Sequence, residues 1–142
     1  MQAYISMITL AVDDMVASVR FYRDGLQWPQ LASPPEVAFF ALHGTWLGLY
    51  GREALNAETG LPSGVKANGP QGVSMVLSHN VGSAEAVDVV MARAREAGAV
   101  ITHEARAMHW GGYCGHFQDP NGHVWEVAYN PFMAVGPQVE PT

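Results

Sequence analysis

Hydrophobic and polar positions along the chain fall into two similar passes, each a strand-length apolar run followed by a helical pattern and then further strands. In the first pass, Tyr4 to Val12 has strand length. Asp13 or Asp14 is then placed to cap a helix whose apolar residues Met15, Val19, Tyr22 and Leu26 recur at helical spacing, and Gly25 stands where that helix should stop. Beyond a loop marked by Pro29, Pro34 and Pro35, the runs Val37 to Leu42 and Thr45 to Tyr50 are joined by His43-Gly44, which predicts a tight hairpin. Arg52 to Pro70 is rich in glycine and proline after Leu55 and predicts an exposed linker.

The second pass has clearer punctuation. A strand is predicted from Val73 to Ser78, and Ser83 is the expected helix cap with Glu85 close behind it, near the positive end of the helix dipole. Val87, Val90, Met91 and Ala94 form the apolar stripe, and Gly98 ends the helix. Strands follow at Ala99 to His103, Gly112 to Gln118 and His123 to Tyr129, the last two around the turn Asp119-Pro120-Asn121-Gly122. The order is β-α-β-β with one further strand in each half, which predicts an α+β domain of mostly antiparallel strands whose two half-sheets curl around a cup. The expected boundaries are a first module over about 1–52, a linker over about 53–70, a second module over about 71–131 and a proline-containing tail over 132–142.

Composition narrows the function classes. The chain has 142 residues, of which 49% are hydrophobic and 14% charged, enough for one ordinary domain with a real core. Seven Lys plus Arg against thirteen Asp plus Glu leave a formal charge of -6. That charge offers a polyanion little to hold, so nucleic acid is an unexpected partner, whereas a cationic or neutral small molecule is allowed. Cys114 is the single cysteine, so no internal disulfide or all-cysteine metal site can form, which fits a reducing compartment. No apolar run approaches the roughly 18 residues of a membrane span, and no basic region precedes the first apolar stretch, so a cytoplasmic protein without membrane contact is expected.

The repeat, the opening TLAVDDMVASVRFYRDGLQW and the closing WGGYCGHFQDPNGHVWEVAYNP resemble the vicinal oxygen chelate superfamily, the glyoxalase, bleomycin-resistance and extradiol-dioxygenase group. The likeness runs from Tyr4 to Pro131, and its most specific piece is the Asp-Pro-Asn-Gly hairpin before a strand carrying Glu126. It implies paired βαβββ modules, chemistry or binding inside a cup, and a homodimer. It also implies four metal-ligating positions, usually His and Glu, at the first and last strands of each module. Carried over one at a time, Glu126 matches the usual glutamate. The other positions fall on Met7, on or within two residues of Leu47, and on Val73 or Ser74. A thioether and aliphatic carbons give a borderline or hard divalent ion almost nothing, so no cofactor is predicted, with an unconventional divalent metal site as the alternative.

A carboxylate alone in an apolar cup is desolvated, and desolvation favours the neutral acid, which makes Glu126 the candidate catalytic residue, a general acid or base. The competing reading has Glu126 paired and purely structural. Aromatic residues on or beside the cup strands supply the binding candidates: Phe39, Trp46, Trp110 and Tyr113, joined by Met7 and by His109 as a polar partner. If the last hairpin closes symmetrically, Tyr113, Gly115 and Phe117 share a face with Glu126, while Cys114 and His116 take the other. A bulge, which the twin glycines Gly111 and Gly112 invite, exchanges those faces and makes His116 a cup residue. Cys114 reads as a small buried hydrophobe in mid-strand rather than a nucleophile. Two functions follow: a metal-independent protein holding an aromatic or cationic molecule, or a glyoxalase-like lyase or isomerase using Glu126 for proton transfer. A filled, purely structural cup is the third reading.

Overall fold

A computed structural model describes residues 1, 3, 5–60, 75–132 and 134–136. The chain forms two compact units, Met1–Ala67 and Asn68–Thr142. Each holds a four-stranded mixed sheet with the expected repeat.

In the first unit, β1 (Met7–Val12), β2 (Gln30–Leu31), β3 (Val37–Ala41) and β4 (Trp46–Gly51) lie in the order β1-β4-β3-β2. β1 runs parallel to β4, and the other neighbours are antiparallel. Helix α1 (Met15–Val19) starts because Asp14 accepts the amide of Ala17 at 2.9 Å, and it widens into a π-helical stretch over Arg20–Gly25. Phe21 and Tyr22 from that stretch are buried with Leu10, Val12, Ala38, Phe40, Leu47 and Leu49, and the rings of Tyr22 and Phe40 lie 6.0 Å apart. Alternation along each strand leaves the opposite face to Met7, Thr9, Phe39, Trp46 and Gly48. The hairpin at His43-Gly44 is as expected: Gly44 takes a positive φ of 90°, and Leu42 donates to the carbonyl of Thr45.

One expectation fails after β4. The predicted linker opens with helix α2 (Arg52–Thr59), which ends at Gly60 in the left-handed conformation. Arg52 and Asn56 are buried, and Arg52 Nε donates to Asp13 Oδ1 at 2.7 Å. The helix therefore has polar residues turned inward, a pattern that apolar periodicity does not register. Most of the rest of the expected linker lies outside the described residues.

The second unit repeats the order as β5 (Val76–Asn80), α3 (Ala84–Glu96), β6 (Val100–Ala107), β7 (Tyr113–Gln118) and β8 (Val124–Tyr129), with sheet order β5-β8-β7-β6. Ser83 caps α3 by accepting from Ala86, Glu85 lies in the first turn, and Gly98 has a φ of 102° just past the end. Val87, Met91 and Ala94 bury against one face of the sheet with Leu77, Phe117, Trp125 and Val127. Gly115 is the point of closest approach. A Cβ there would lie 2.8 Å from the methyl carbon of Met91 and 3.1 Å from the backbone nitrogen of Ala105, so the glycine gives the helix side chain room at the sheet floor.

Candidate functional site

The register of β7 and β8 decides the chemistry of the second unit, and it differs from symmetric closure. His116 stands opposite Glu126, Cys114 opposite Ala128 and Tyr113 opposite Tyr129. The cause is the turn at Asp119-Pro120-Asn121-Gly122. Gly122 donates to the carbonyl of Asp119 at 3.0 Å and takes a φ of 85°, while Asp119 donates across to His123 at 3.0 Å. A left-handed glycine after a β-turn inserts one extra residue into the strand, a bulge that moves every later residue to the other face. The buried Asp119 carboxylate holds this shape, with Oδ1 accepting the amides of Asn121 and His123, both at 2.9 Å. The face exchange thus occurs, through Gly122 rather than through Gly111 and Gly112.

As a result Cys114 and His116 share a face with Glu126, and the expectation that Tyr113 does so is corrected. Tyr113 points to α3, where its hydroxyl donates to Asp88 Oδ1 at 2.9 Å, and that bond to a carboxylate pushes the phenol above its ordinary range. Phe117 lies on the same side, stacked on Trp125 with ring centroids 6.3 Å apart.

The face away from α3 carries a transverse polar row. Ser78 Oγ donates to Glu126 Oε1 at 3.2 Å, and His116 Nε2 lies 3.2 Å from Glu126 Oε2. His103 of β6 stands opposite His116 in the register, so the row crosses all four strands. The side chains of His116 and Glu126 are 25% and 30% exposed, open enough to meet a solute and dry enough for the contact to matter. Glu126 is therefore not an isolated carboxylate, and its partners are an imidazole and a hydroxyl. When Nε2 donates to Glu126, Nδ1 keeps its lone pair and can accept a proton or bind an ion. Cys114 lies beneath, fully buried, its thiol pushed up first by burial and then by the Glu126 charge, with Arg106 opposing.

The other sequence candidates lie elsewhere. Met7, Phe39 and Trp46 come together on the helix-free face of the first sheet, where the rings of Phe39 and Trp46 are 5.9 Å apart. A Cβ on Gly48 would meet Met7 Sδ at 3.1 Å, so this glycine makes a dip that the thioether fills. Trp110 and His109 occupy the turn between β6 and β7 and are exposed. The Trp110 ring lies over Gly112, where a Cβ would come within 1.9 Å of it. Of the six histidines, His103, His109 and His116 are the better candidates on sequence, whereas nothing in the sequence singles out Ser78 as a partner of Glu126. The signal available was the Asp-Pro-Asn-Gly turn, whose glycine in the fourth position announces the bulge and thereby the face of His116.

The residues present do not fit the metal set implied by the family's four positions. Met7 offers a thioether, Leu47 is buried towards α1, and its neighbours Trp46 and Gly48 supply no ligand atom. Val73 and Ser74 lie outside the described residues. No helix among the described residues is long and apolar enough to cross a membrane.

Comparison with known proteins agrees with the fold. No curated protein sequence matches the chain. A glyoxalase-related enzyme from Fulvimarina pelagi is 34% identical, covers 95% of this chain and 94% of its own, and superposes with a TM-score of 0.84. A glyoxalase/bleomycin resistance protein/dioxygenase from Nocardioides is 24% identical over 98% of this chain and 91% of its own, with a TM-score of 0.77. A lactoylglutathione lyase from Agrobacterium tumefaciens is 22% identical over 90% and 94%, with a TM-score of 0.64. The sequence profile of the Glyoxalase/Bleomycin resistance protein/Dioxygenase superfamily matches residues 4–127, and with the two βαβββ sheets described above this chain belongs to that family.

Proposed function

We propose that this chain binds a small aromatic or cationic molecule on the helix-free face of its second sheet, without a metal at the family's usual positions. The observation that carries the reading is the Ser78–Glu126–His116 row: three hydrogen-bonded polar side chains, partly open to solvent, on a face that α3 leaves uncovered. Val76, Val124, Ala128 and Cys114 lie beside the row on the same face, so convergent polar groups meet apolar neighbours there, the combination a small-molecule site uses. The net charge of -6 and the carboxylate at the centre of the row favour a cation. Phe39, Trp46 and Met7 form a separate aromatic surface in the first unit, and Trp110 and His109 are exposed in a turn. Trp110 and His109 are further candidate contacts for the ligand in the second unit, and Met7, Phe39 and Trp46 are candidate binding residues of the first unit taken by itself. A homodimer in the cytoplasm remains part of the reading, with the family resemblance as its support.

The His116–Glu126 contact favours a second reading, a glyoxalase-like lyase or isomerase in which Glu126 moves a proton at a carbon next to a carbonyl, with His116 holding the carboxylate in place. The discriminating experiment measures thermal stability against a panel of aromatic cations, neutral aromatics and aromatic anions. Native-state binding must raise the melting temperature. Stabilisation by the aromatic cations that is reduced in Glu126→Gln is the expected result. No stabilisation by any member of the panel overturns the binding reading, and turnover of a 2-oxo compound that disappears in Glu126→Gln replaces it with the catalytic one.

A further inference from the structure

We infer that Cys114, His116 and Glu126 form a binding site for one borderline divalent metal ion of the zinc class, sharing only Glu126 with the positions at which the family's relatives would hold theirs. The inference rests on placement and donor chemistry and is independent of which organic molecule the protein takes. One ligand atom from each of the three residues lies within 4.8 Å of the others. Zinc bonds of about 2.0–2.3 Å put neighbouring donors of a tetrahedral site roughly 3.3–3.6 Å apart, so the side chains need to close by only about 1 Å.

The three arrive there for a definite structural reason. Cys114 and His116 are two residues apart on β7, so they share a face, and the bulge at Gly122 brings Glu126 of β8 directly opposite His116. A thiolate, an imidazole and a carboxylate suit zinc, cobalt or iron(II) far better than magnesium or calcium, which take oxygen ligands. In the free protein a hydrogen bond joins His116 to Glu126, and the ion takes the place of that proton, which passes to Nδ1 of the same imidazole as the ring changes tautomer, with Cys114 closing the site from the buried side. Binding releases the Cys114 proton to solvent and displaces water from the ion. A three-ligand site keeps a fourth position open, the arrangement of metal centres that meet a substrate rather than only brace a fold. Ser78, bonded to the other oxygen of Glu126, orients the carboxylate. Arg106 stands opposite Cys114 in the register and is a positive neighbour that the two anionic ligands must outweigh.

The test uses the full chain stripped with a chelator, titrated with cobalt(II) and followed by absorption, then with zinc in competition with a chromophoric chelator. One equivalent of cobalt with a thiolate-to-metal charge-transfer band in the near ultraviolet is expected. Cys114→Ala and Cys114→Ser should both lose the band, two variants so that a folding defect in one does not decide the matter. His116→Gln and Glu126→Gln should each weaken zinc binding by about tenfold or more, while Met7→Leu leaves it unchanged. Absence of stoichiometric uptake overturns the site. So does uptake without the thiolate band, or uptake that Met7→Leu abolishes, which would return the metal to the family's usual positions.

Discussion

His116 and Glu126 face each other across β7 and β8 with Nε2 3.2 Å from Oε2, and the conformation of Gly122, four residues before Glu126, is what sets them opposite. A one-residue change in that turn would send Glu126 to the α3 side, where Val87, Met91 and Ala94 leave no room for a charge.

Replacing Gly122 therefore tests the register. With a φ of 85° and no atom within 4 Å of a Cβ, Gly122→Ala meets backbone strain and no clash. The expected cost is about 1–2 kcal/mol in urea unfolding, and Gly122→Asn, which tolerates the left-handed region, should cost clearly less. Equal costs for the two would mean that the turn does not need that conformation.

Asp119 should prove the more expensive residue of the same turn. Its buried carboxylate accepts two backbone amides at 2.9 Å, and Asp119→Ala leaves both without that acceptor. A loss of about 2–3 kcal/mol is expected from chemical denaturation, with a smaller loss for Asp119→Asn, which keeps one carbonyl oxygen. A change below about 0.5 kcal/mol in Asp119→Ala would show that water replaces the carboxylate.

Glu126→Gln separates charge from shape. The amide can still accept from Ser78, so the fold should survive with a change of no more than about 1 kcal/mol, the scale of a partly exposed ion pair. Any proton-transfer rate should disappear, while affinity for neutral aromatics falls only modestly. A rate unchanged in this variant would eliminate Glu126 as acid or base.

Cys114 predicts a pH dependence with a definite sign. Its thiol is raised in the folded protein, chiefly by burial, so the native state holds the proton after the unfolded chain has lost it. That contribution is fully present below the ordinary thiol value and is lost as pH rises through the raised folded value. With a chelator present, the melting temperature of the wild type should track that of Cys114→Ala at neutral pH and fall away from it in alkali. Parallel curves to high pH would contradict a buried thiol. Alkylation of native protein at neutral pH should likewise be slow, and fast after unfolding.

Much of this molecule can be read from its sequence because the relevant signals are local. Periodicity, the caps at Asp14 and Ser83, the stop at Gly98 and the His43-Gly44 hairpin act within a few residues, and together they specify two βαβββ modules, although the first helix runs through Gly25 to a cap at Leu26. The Glu126 position is legible for the same reason, through the Asp-Pro-Asn-Gly turn just ahead of it. What tertiary structure alone decided is which side chains meet. Strand pairing has a period of two, so one left-handed glycine moved His116 and Cys114 to the face of Glu126 and sent Tyr113 to Asp88. Ser78 became a partner of Glu126 only through a parallel pairing between strands 48 residues apart, and α2 is a helix whose buried Arg52 reaches back to Asp13. Such pairings depend on the energy of the whole sheet rather than on the preference of any short segment, and for that reason the fold and the place of Glu126 were legible while the partners of Glu126 were not.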